Sequence, residues 1–343
     1  MEHNVYVGTY THTSESKGIY LCRFNDDSGK IEVTGYADHA RDPSFLVDNG
    51  KYVYSVCEAG ASGISAYSKD GATGALTLLN EKTFPGEGAC NIHASGDNRW
   101  LIVANYNSGN LICTGIKQNG SVGDLVSNIQ HVGSGANRER QEHAHVHCAI
   151  FDKEERFVLV ADLGTNAIHS YRFNHESGEL LKQGITALPD GEGPRHIILD
   201  AQNRFAYVVT ELGNRVFSYA YSKETGALQG LMSLSTLPDG WKGESYCADI
   251  HLSRDGKYLY TSNRGHDSIT CFRLTGGKMD KAGIFPCGGK TPRNFAVTEK
   301  AVIVANQDSD NIVVWKREED SGFLTDKLSE VKVPMPVCVE IAR

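Results

Sequence analysis

The stretch RDGKYLYTSNRGHD, residues 254–267, decides the fold, because variants of it recur along the whole chain. Four further copies have the same order of a turn, a basic residue, an aromatic residue and a run of β-forming residues. They are DNGKYVYSVCEAG (48–60), GDNRWLIVANYNSG (96–109), KEERFVLVADLGTN (153–166) and AQNRFAYVVTELGN (201–214). Two shorter variants, NVYVGTY (4–10) and AVIVANQDSD (301–310), bring the total to seven. The sequence is therefore built from seven repeats of one unit.

The spacing of the copies identifies the kind of repeat. Each run ends in a polar residue or a tyrosine, and these residues are 48, 47, 57, 49, 52 and 43 positions apart. Repeats of about 40–50 residues are typical of β-propeller blades and are too long for leucine-rich repeats. The residues that end the runs are Tyr10, Glu58, Asn105, Asp162, Glu211, Asn263 and Asn306. We predict an all-β fold: one seven-bladed β-propeller domain over residues 1–343, with four antiparallel strands in each blade.

The two ends of the chain predict how the ring closes. The second repeat contains four predicted strands, at 43–48, 52–58, 63–68 and 75–83, separated by glycine turns. The first repeat, in contrast, begins at what is elsewhere the second strand. The last segment, PVCVEIAR (336–343), resembles first strands such as PRHIILD (194–200). We therefore expect residues 336–342 to supply the innermost strand of the first blade.

Composition and charge narrow the class of protein. The chain has 343 residues, a net charge of −8 and no basic stripe, which argues against a nucleic-acid partner. Its apolar runs are too short to span a membrane, and the first residues lack the pattern of a signal peptide, so we expect a cytoplasmic protein. Nine scattered cysteines without a CxxC pair predict reduced, buried thiols rather than disulfides or a zinc ribbon.

The longest junction between repeats contains the first candidate functional residues. It is GANRERQEHAHVHCAIFD (135–152), in which His143, His145 and His147 alternate. Alternate residues of a strand share a face, so up to three imidazoles could point into one cavity at a mouth of the propeller channel. A general acid or base role is favoured, because imidazole titrates near neutral pH. A zinc site and a purely structural role remain open.

Arginines in the following repeats predict a small anionic ligand. Arg195 and His196 open an inner strand, and Glu211 ends the next strand of the same repeat. Arg195 could clamp a carboxylate or phosphate, or pair with an acid of a neighbouring blade. The later repeats add Asp249, His251, Asn263, Arg264 and Arg293. Three guanidinium groups near one mouth of an acidic protein favour a small anion as the ligand.

These segments resemble the lactonase family of seven-bladed β-propellers over nearly the whole chain. The resemblance is carried by RQEHAHVH (140–147), GPRH (193–196), TELGN (210–214), ADIHLSRDGKYLYTSNR (248–264) and TPRNF (291–295). A frequent family form has proline where this chain has Ala144. The resemblance implies that the active site is lined by His145, Arg195, Glu211 and Arg264, with His147 and His196 close by. We assign substrate binding to His147, His196, Asn105, His251, Asn263 and Arg293, and we assign no metal ligand.

The resemblance also implies a reaction. It is the hydrolysis of 6-phospho-D-glucono-1,5-lactone to 6-phosphogluconate in the oxidative pentose phosphate pathway, without a cofactor. In the mechanism we expect, His145, assisted by Glu211, takes a proton from water, and Arg195 or Arg264 stabilises the oxyanion. Arg293 and the remaining basic groups hold the phosphate. Two alternatives remain open: a cycloisomerase that acts on a muconate-type diacid with nearly the same site, and a non-catalytic propeller that binds proteins.

Overall fold

Seven antiparallel sheets of four strands each make up the protein. The computed structural model describes residues 1–38 and 40–343. Within those ranges the one helical segment is a 3₁₀ turn at Gln307–Ser309, and no helix is long and apolar enough to cross a membrane. The predicted all-β seven-bladed propeller is therefore confirmed.

The strands follow the chain in order, four to a blade. The first blade contains Glu2–Thr9 (β1), Ile19–Asn25 (β2) and Lys30–Ala37 (β3). The second contains Leu46–Asp48 (β4), Tyr52–Cys57 (β5), Ala61–Lys69 (β6) and Leu76–Glu87 (β7). The third contains Ala89–Ala94 (β8), Trp100–Asn105 (β9), Asn110–Ile116 (β10) and Val122–Gln130 (β11). The fourth contains Val146–Phe151 (β12), Phe157–Asp162 (β13), Ala167–Phe173 (β14) and Leu180–Ala187 (β15).

The remaining blades repeat this arrangement. The fifth contains Pro194–Leu199 (β16), Phe205–Thr210 (β17), Arg215–Tyr221 (β18) and Leu228–Ser235 (β19). The sixth contains Tyr246–Leu252 (β20), Tyr258–Arg264 (β21), Ser268–Thr275 (β22) and Lys278–Pro286 (β23). The seventh contains Pro292–Val297 (β24), Ala301–Asn306 (β25), Asn311–Arg317 (β26) and Leu324–Lys332 (β27). The last strand is Pro336–Ile341 (β28).

The last strand closes the ring, as the sequence predicted. β28 pairs antiparallel with β1, with Val5 opposite Ile341 and Gly8 opposite Cys338, so the first blade has the order β28-β1-β2-β3. On its other side β28 meets the seventh blade, where the backbone N–H of Val339 donates to Asn294 Oδ1 at 2.6 Å. Both ends of the chain are thereby fixed in one sheet.

The hydrophobic core is divided into layers between neighbouring blades. One layer packs Val5 and Val7 of the first blade against Ile303 and Val314 of the seventh, all fully buried. The alternation of apolar residues along each strand supplies both faces of such layers. All nine cysteines are buried and free of disulfides, as predicted. Each blade therefore depends on both of its neighbours for burial.

Buried tyrosines add a directional link from one blade to the next. Tyr54 in β5 donates its hydroxyl to the carbonyl of Gly120 at 2.9 Å, and Tyr260 in β21 donates to Gly322 at 2.7 Å. Each glycine lies in the turn between the third and fourth strands of the following blade, with φ of 84° and 71° respectively. That conformation is readily adopted by glycine. The recurrent glycine turns of the sequence thus form acceptor sites between blades.

The closing strand makes stability depend on pH. Glu340 in β28 accepts a hydrogen bond from the backbone N–H of Asp48 at 2.9 Å, and burial raises the pKa of Glu340 from 4.5 to about 7. The folded state therefore holds a proton that the unfolded chain releases above its lower pKa. The resulting stabilisation is complete below about pH 4.5 and is lost as the pH rises through about 7.

Glu340→Gln should remove this pH dependence, because the amide is neutral at every pH and retains an acceptor oxygen for Asp48. We expect the variant to melt at a higher temperature than the wild type at pH 8, and the advantage to shrink or disappear at pH 5. Thermal unfolding at the two pH values measures the difference. The same difference in melting temperature at both would contradict the assignment.

Candidate active site

In every blade, the start of the innermost strand and the end of the second strand lie together at one mouth of the central channel. In each blade the innermost strand begins where the second strand ends, as in the pairs Pro194 with Thr210 and Tyr246 with Arg264. We call this the upper mouth and define it by Arg195, Glu211 and Arg264. The lower mouth is the opposite end, where the innermost strands finish.

Three arginines surround one buried carboxylate at the upper mouth. Glu211 Oε2 lies 2.8 Å from Arg195 Nε and 2.9 Å from Arg264 Nη2, and its Oε1 lies 2.5 Å from Arg140 Nη2. Burial alone would raise the pKa of Glu211, but the neighbouring positive charges outweigh it and hold that pKa well below its usual range. The carboxylate stays ionised and is a poor proton acceptor. Its geometry suits it to positioning the guanidinium groups, so the expectation that it assists as a base is corrected.

Neighbouring groups hold the two arginines of the fifth and sixth blades in place. Arg195 is buried, and its Nη1 donates to the carbonyl of Ala248 at 2.5 Å and lies 3.2 Å from His196 Nε2. Burial lowers the pKa of Arg264 to about 10, which still leaves the guanidinium charged near neutral pH. The cluster thus presents fixed positive charge at the mouth, as an anion-binding site requires.

His145 lies beside this cluster with a defined tautomer. Its Nδ1 is 2.9 Å from the carbonyl oxygen of Tyr106, which can only accept, so Nδ1 carries the proton of the neutral ring. Its Nε2 faces Glu142 Oε1 at 3.2 Å, within hydrogen-bond distance. The ring stacks on Tyr106 with centroids 4.3 Å apart, and the Tyr106 hydroxyl accepts a hydrogen bond from Arg140 at 3.3 Å. Tyr106 therefore connects the imidazole to the arginine cluster.

The three alternate histidines do not share one face of a strand. β12 begins only at Val146, and a register shift lies between Val146 and Cys148, so the period of two is broken at this point. His143 is half exposed and adjoins His145, whereas His147 is buried and packs edge-on to His196 at 5.3 Å. The three rings thus divide between the outer rim and the channel wall.

The two channel histidines are neutral near pH 7. Burial, reinforced by Arg195, lowers the pKa of His196 to about 4 and that of His147 well below its usual value. His196 Nδ1 donates to Asp249 Oδ1 at 2.7 Å, which leaves Nε2 to accept from Arg195. Both residues line the site, but as neutral hydrogen-bonding groups rather than as cations for a phosphate.

His251 does not lie at the upper mouth. Its Nε2 is 2.8 Å from Asp249 Oδ2, and it lines a cavity of about 460 Å³ at the lower mouth together with His93 and Glu340. β20 runs along the channel, and the five residue steps from Tyr246 to His251 span about 17 Å of strand. Its assignment to the same substrate-binding group as Arg195 is therefore corrected.

Two asparagines assigned to substrate binding are fully buried. Asn105 donates to Asn110 Oδ1 at 3.1 Å and accepts from Ser62 Oγ at 2.7 Å. Asn263 donates to the hydroxyls of Ser268 and Thr270, both at 3.0 Å. These amides hold the turn at the end of the second strand, so neither can contact a ligand. The residues that follow them, Tyr106 and Arg264, belong to the site instead.

Asn263→Ala should lower stability while leaving the site chemistry in place. The change leaves buried hydroxyls without their donor, which costs about 1–3 kcal/mol of unfolding free energy. Urea unfolding measures this loss, and any enzymatic activity is compared per folded molecule. A specific loss of activity at unchanged stability would return Asn263 to the binding site.

Several residues of the site were not predicted from the sequence. Two of them contact the predicted residue Arg293 directly or through a neighbour. The Arg293 guanidinium lies over the ring of Tyr10 at 5.3 Å, and the Tyr10 hydroxyl donates to the Glu58 carboxylate at 3.2 Å. Arg293 and Glu58 line the channel cavity together with Arg195 and Cys90. Tyr10 and Glu58 are two of the residues that end the repeated runs, and this position could have identified them. The residues missed at the upper mouth are Arg140, Tyr106, Glu142, Tyr10 and Glu58.

Comparisons with known proteins agree with the fold and cover nearly the whole chain. Residues 4–341 match the family described as "Lactonase, 7-bladed beta-propeller". A 6-phosphogluconolactonase of Bacillus subtilis is 33% identical over 342 residues, which are 98% of this chain and 97% of that protein. One of Formosa agariphila is 32% identical and covers 96% of each chain.

Solved structures show the same architecture. A periplasmic gluconolactonase of Pseudomonas aeruginosa superposes with a TM-score of 0.92 at 27% identity, over 100% of this chain and 99% of that one. A protein of Lactobacillus plantarum superposes with a TM-score of 0.94 at 29% identity, over 100% of both chains.

Proposed function

We propose that this chain, which belongs to the lactonase family of seven-bladed β-propellers, hydrolyses 6-phospho-D-glucono-1,5-lactone to 6-phosphogluconate. The observation that carries the proposal is the Glu211 carboxylate with its three arginines, connected through Tyr106 to the imidazole of His145, whose Nδ1 is held by the carbonyl of Tyr106. Acyl transfer to water needs a proton acceptor and fixed positive charge, and this site offers both.

The charge of the site favours an anionic lactone. Four guanidinium groups, of Arg140, Arg195, Arg264 and Arg293, are opposed at this mouth by the three carboxylates of Glu211, Glu58 and Glu142. The summed charge of these side chains is positive, although the net charge of the whole protein is −8. Relatives named 6-phosphogluconolactonase supply the specific substrate in this proposal, and the phosphate would be bound by Arg293 with Arg140.

The mechanism follows from the tautomer of His145. A water oxygen forms a bond to the lactone carbonyl carbon while His145 Nε2 takes one of its protons. The carbonyl oxygen becomes an oxyanion, which Arg195 or Arg264 stabilises because the carboxylate of Glu211 already fixes both guanidinium groups. Collapse of this intermediate breaks the bond to the ring oxygen, and the imidazolium returns the proton to that leaving oxygen. The product acid then releases a proton to water.

A single assay series tests the function. Purified protein is mixed with freshly generated 6-phosphogluconolactone, and acid release is measured against the spontaneous rate. We expect clear acceleration, and a higher kcat/KM for the phosphorylated lactone than for unphosphorylated gluconolactone. Acceleration of gluconolactone alone would reject the phosphate assignment. Absence of acceleration with either lactone would reject the function and favour the cycloisomerase or the binding platform.

A further inference from the structure

Three potential metal ligands converge on the solvent side of His145. Glu142 Oε1 lies 3.2 Å from His145 Nε2 and 3.4 Å from His143 Nε2. We call Glu142, His143 and His145 the rim triad. Glu142 and His143 are about half exposed, whereas His145 is buried. The triad therefore extends from the solvent-exposed surface to the buried side of the site.

Hydrogen bonds fix the orientation of the two imidazoles in the rim triad. His143 Nδ1 is 2.8 Å from the carbonyl of Ala144, and His145 Nδ1 is 2.9 Å from the carbonyl of Tyr106. Because carbonyls only accept, both rings carry a proton on Nδ1, and the Nε2 atom of each ring faces the Glu142 carboxylate within hydrogen-bond or ion-pair distance. Histidines that bind metals commonly donate their other ring nitrogen to a backbone carbonyl in this way. A divalent cation could therefore take the place of a proton between these three ligand atoms.

The spacing of these atoms fits a small divalent cation. Zinc bonds of about 2.0–2.2 Å in tetrahedral geometry place neighbouring ligand atoms about 3.3–3.5 Å apart. The distances of 3.2 and 3.4 Å agree with that spacing. Two imidazoles and one carboxylate also leave a coordination position for water.

The cluster of His131, Asp162 and His169 contains the same types of side chain but is less exposed to solvent than the rim triad. His131 Nδ1 lies 2.7 Å from Asp162 Oδ2, and its Nε2 lies 2.8 Å from the hydroxyl of Tyr171. Asp162 and both histidines of this cluster are buried, so a cation has no open path to them from solvent. In the rim triad, Glu142 and His143 are exposed, so a cation can reach the ligand atoms directly from solvent.

We propose that Glu142, His143 and His145 bind one divalent cation of the zinc class, and that the bound cation inhibits hydrolysis. The inhibitory part rests on the proposed function, because the cation would occupy the Nε2 lone pair with which His145 accepts the proton of water. The arginines already supply positive charge for an oxyanion. Metal binding would therefore remove the proton acceptor that the reaction needs.

The first test measures binding without reference to activity. Chelator-treated protein is titrated with Co²⁺, and we expect visible absorption bands that saturate at one ion per chain in the wild type. His143→Ala should weaken Co²⁺ binding by at least the roughly 10- to 100-fold that loss of a metal site's outer hydrogen-bond partner costs. His3→Ala, in the first strand and outside the rim triad, serves as the control and should bind like the wild type. Absence of the bands, or equal binding by His143→Ala, would overturn the site.

The second test measures the effect on hydrolysis. Without metal we expect wild type and His143→Ala to have kcat/KM values within about twofold of each other, since His143 has no part in the reaction steps. Stoichiometric Zn²⁺ should inhibit the wild type and leave His143→Ala active. Activation by Zn²⁺, or equal inhibition of both proteins, would overturn the inhibitory site. A metal-free wild type without lactonase activity would reject the proposed function, while the Co²⁺ titration would still decide the metal site.

Discussion

We expect His145→Ala and Arg195→Ala each to lower kcat on 6-phosphogluconolactone by roughly 10²-fold or more, the usual scale for loss of a general base or of an oxyanion donor. In the proposed mechanism, His145→Ala removes the Nε2 atom that accepts the proton of water. Arg195→Ala removes a guanidinium that donates to Glu211 at 2.8 Å and to the carbonyl of Ala248 at 2.5 Å, and so also loosens the carboxylate that positions Arg264. Rates are measured as acid release after subtraction of spontaneous hydrolysis.

The variant Arg195→Lys tests whether the positive charge at this position is sufficient for activity or whether the hydrogen-bond geometry of the guanidinium is also required. A lysine keeps the positive charge but cannot donate in two fixed directions to Glu211 and Ala248. We expect it to recover only part of the activity that Arg195→Ala loses. Thermal unfolding of each variant checks that the fold is intact. Turnover within a few-fold of the wild type in His145→Ala or Arg195→Ala would reject the role of that residue.

Deletion of residues 335–343 should remove most of the stability of the ring. The deletion takes away the innermost strand of the first blade, including Val337, Cys338 and Val339, which are all buried. Burial of two valines contributes about 1.5–3 kcal/mol each, before the backbone hydrogen bonds to β1 are counted. A folded domain has about 5–15 kcal/mol in total. We therefore expect a chain with no cooperative thermal transition or with a much lower melting temperature.

The matched control is deletion of Arg343 alone. This residue lies outside β28, whose bounds are Pro336–Ile341, so the strand and its pairing with β1 stay intact. The control should melt close to the wild type. Unchanged unfolding of the longer deletion, at the same protein concentration, would show that the ring does not need its closing strand.

The fold could be predicted from the sequence because its signals are local and repeated. A strand run, a glycine turn and a basic–aromatic pair occur within a few residues of each other, and their recurrence fixes the number of blades. The closing strand was predictable because PVCVEIAR has the pattern of the other inner strands. Strand ends were less accurate. β4 covers only Leu46–Asp48 of the expected 43–48, and β7 extends to Glu87 rather than to residue 83.

The site could be predicted only in part, because the sequence does not say which way a side chain points. Asn105 and Asn263 end their strands as Glu211 does, yet the asparagines turn into the blade and form hydrogen bonds there. A bulge near Val146 separates His147 from His145 despite their alternation. Arg140 comes from a junction without strand periodicity, so its contact with Glu211 depends on a loop path that no repeat encodes.

Three strands of the first blade are synthesised at the start of translation, and the fourth, β28, is synthesised at the end. β1 leaves the ribosome first, but its inner partner β28 is made after more than 300 other residues. At about 5–20 residues per second, β1 waits on the order of tens of seconds with one edge unpaired. During that interval it is exposed to chaperones and to other nascent chains, and the blades in the middle of the chain can be complete before the first one.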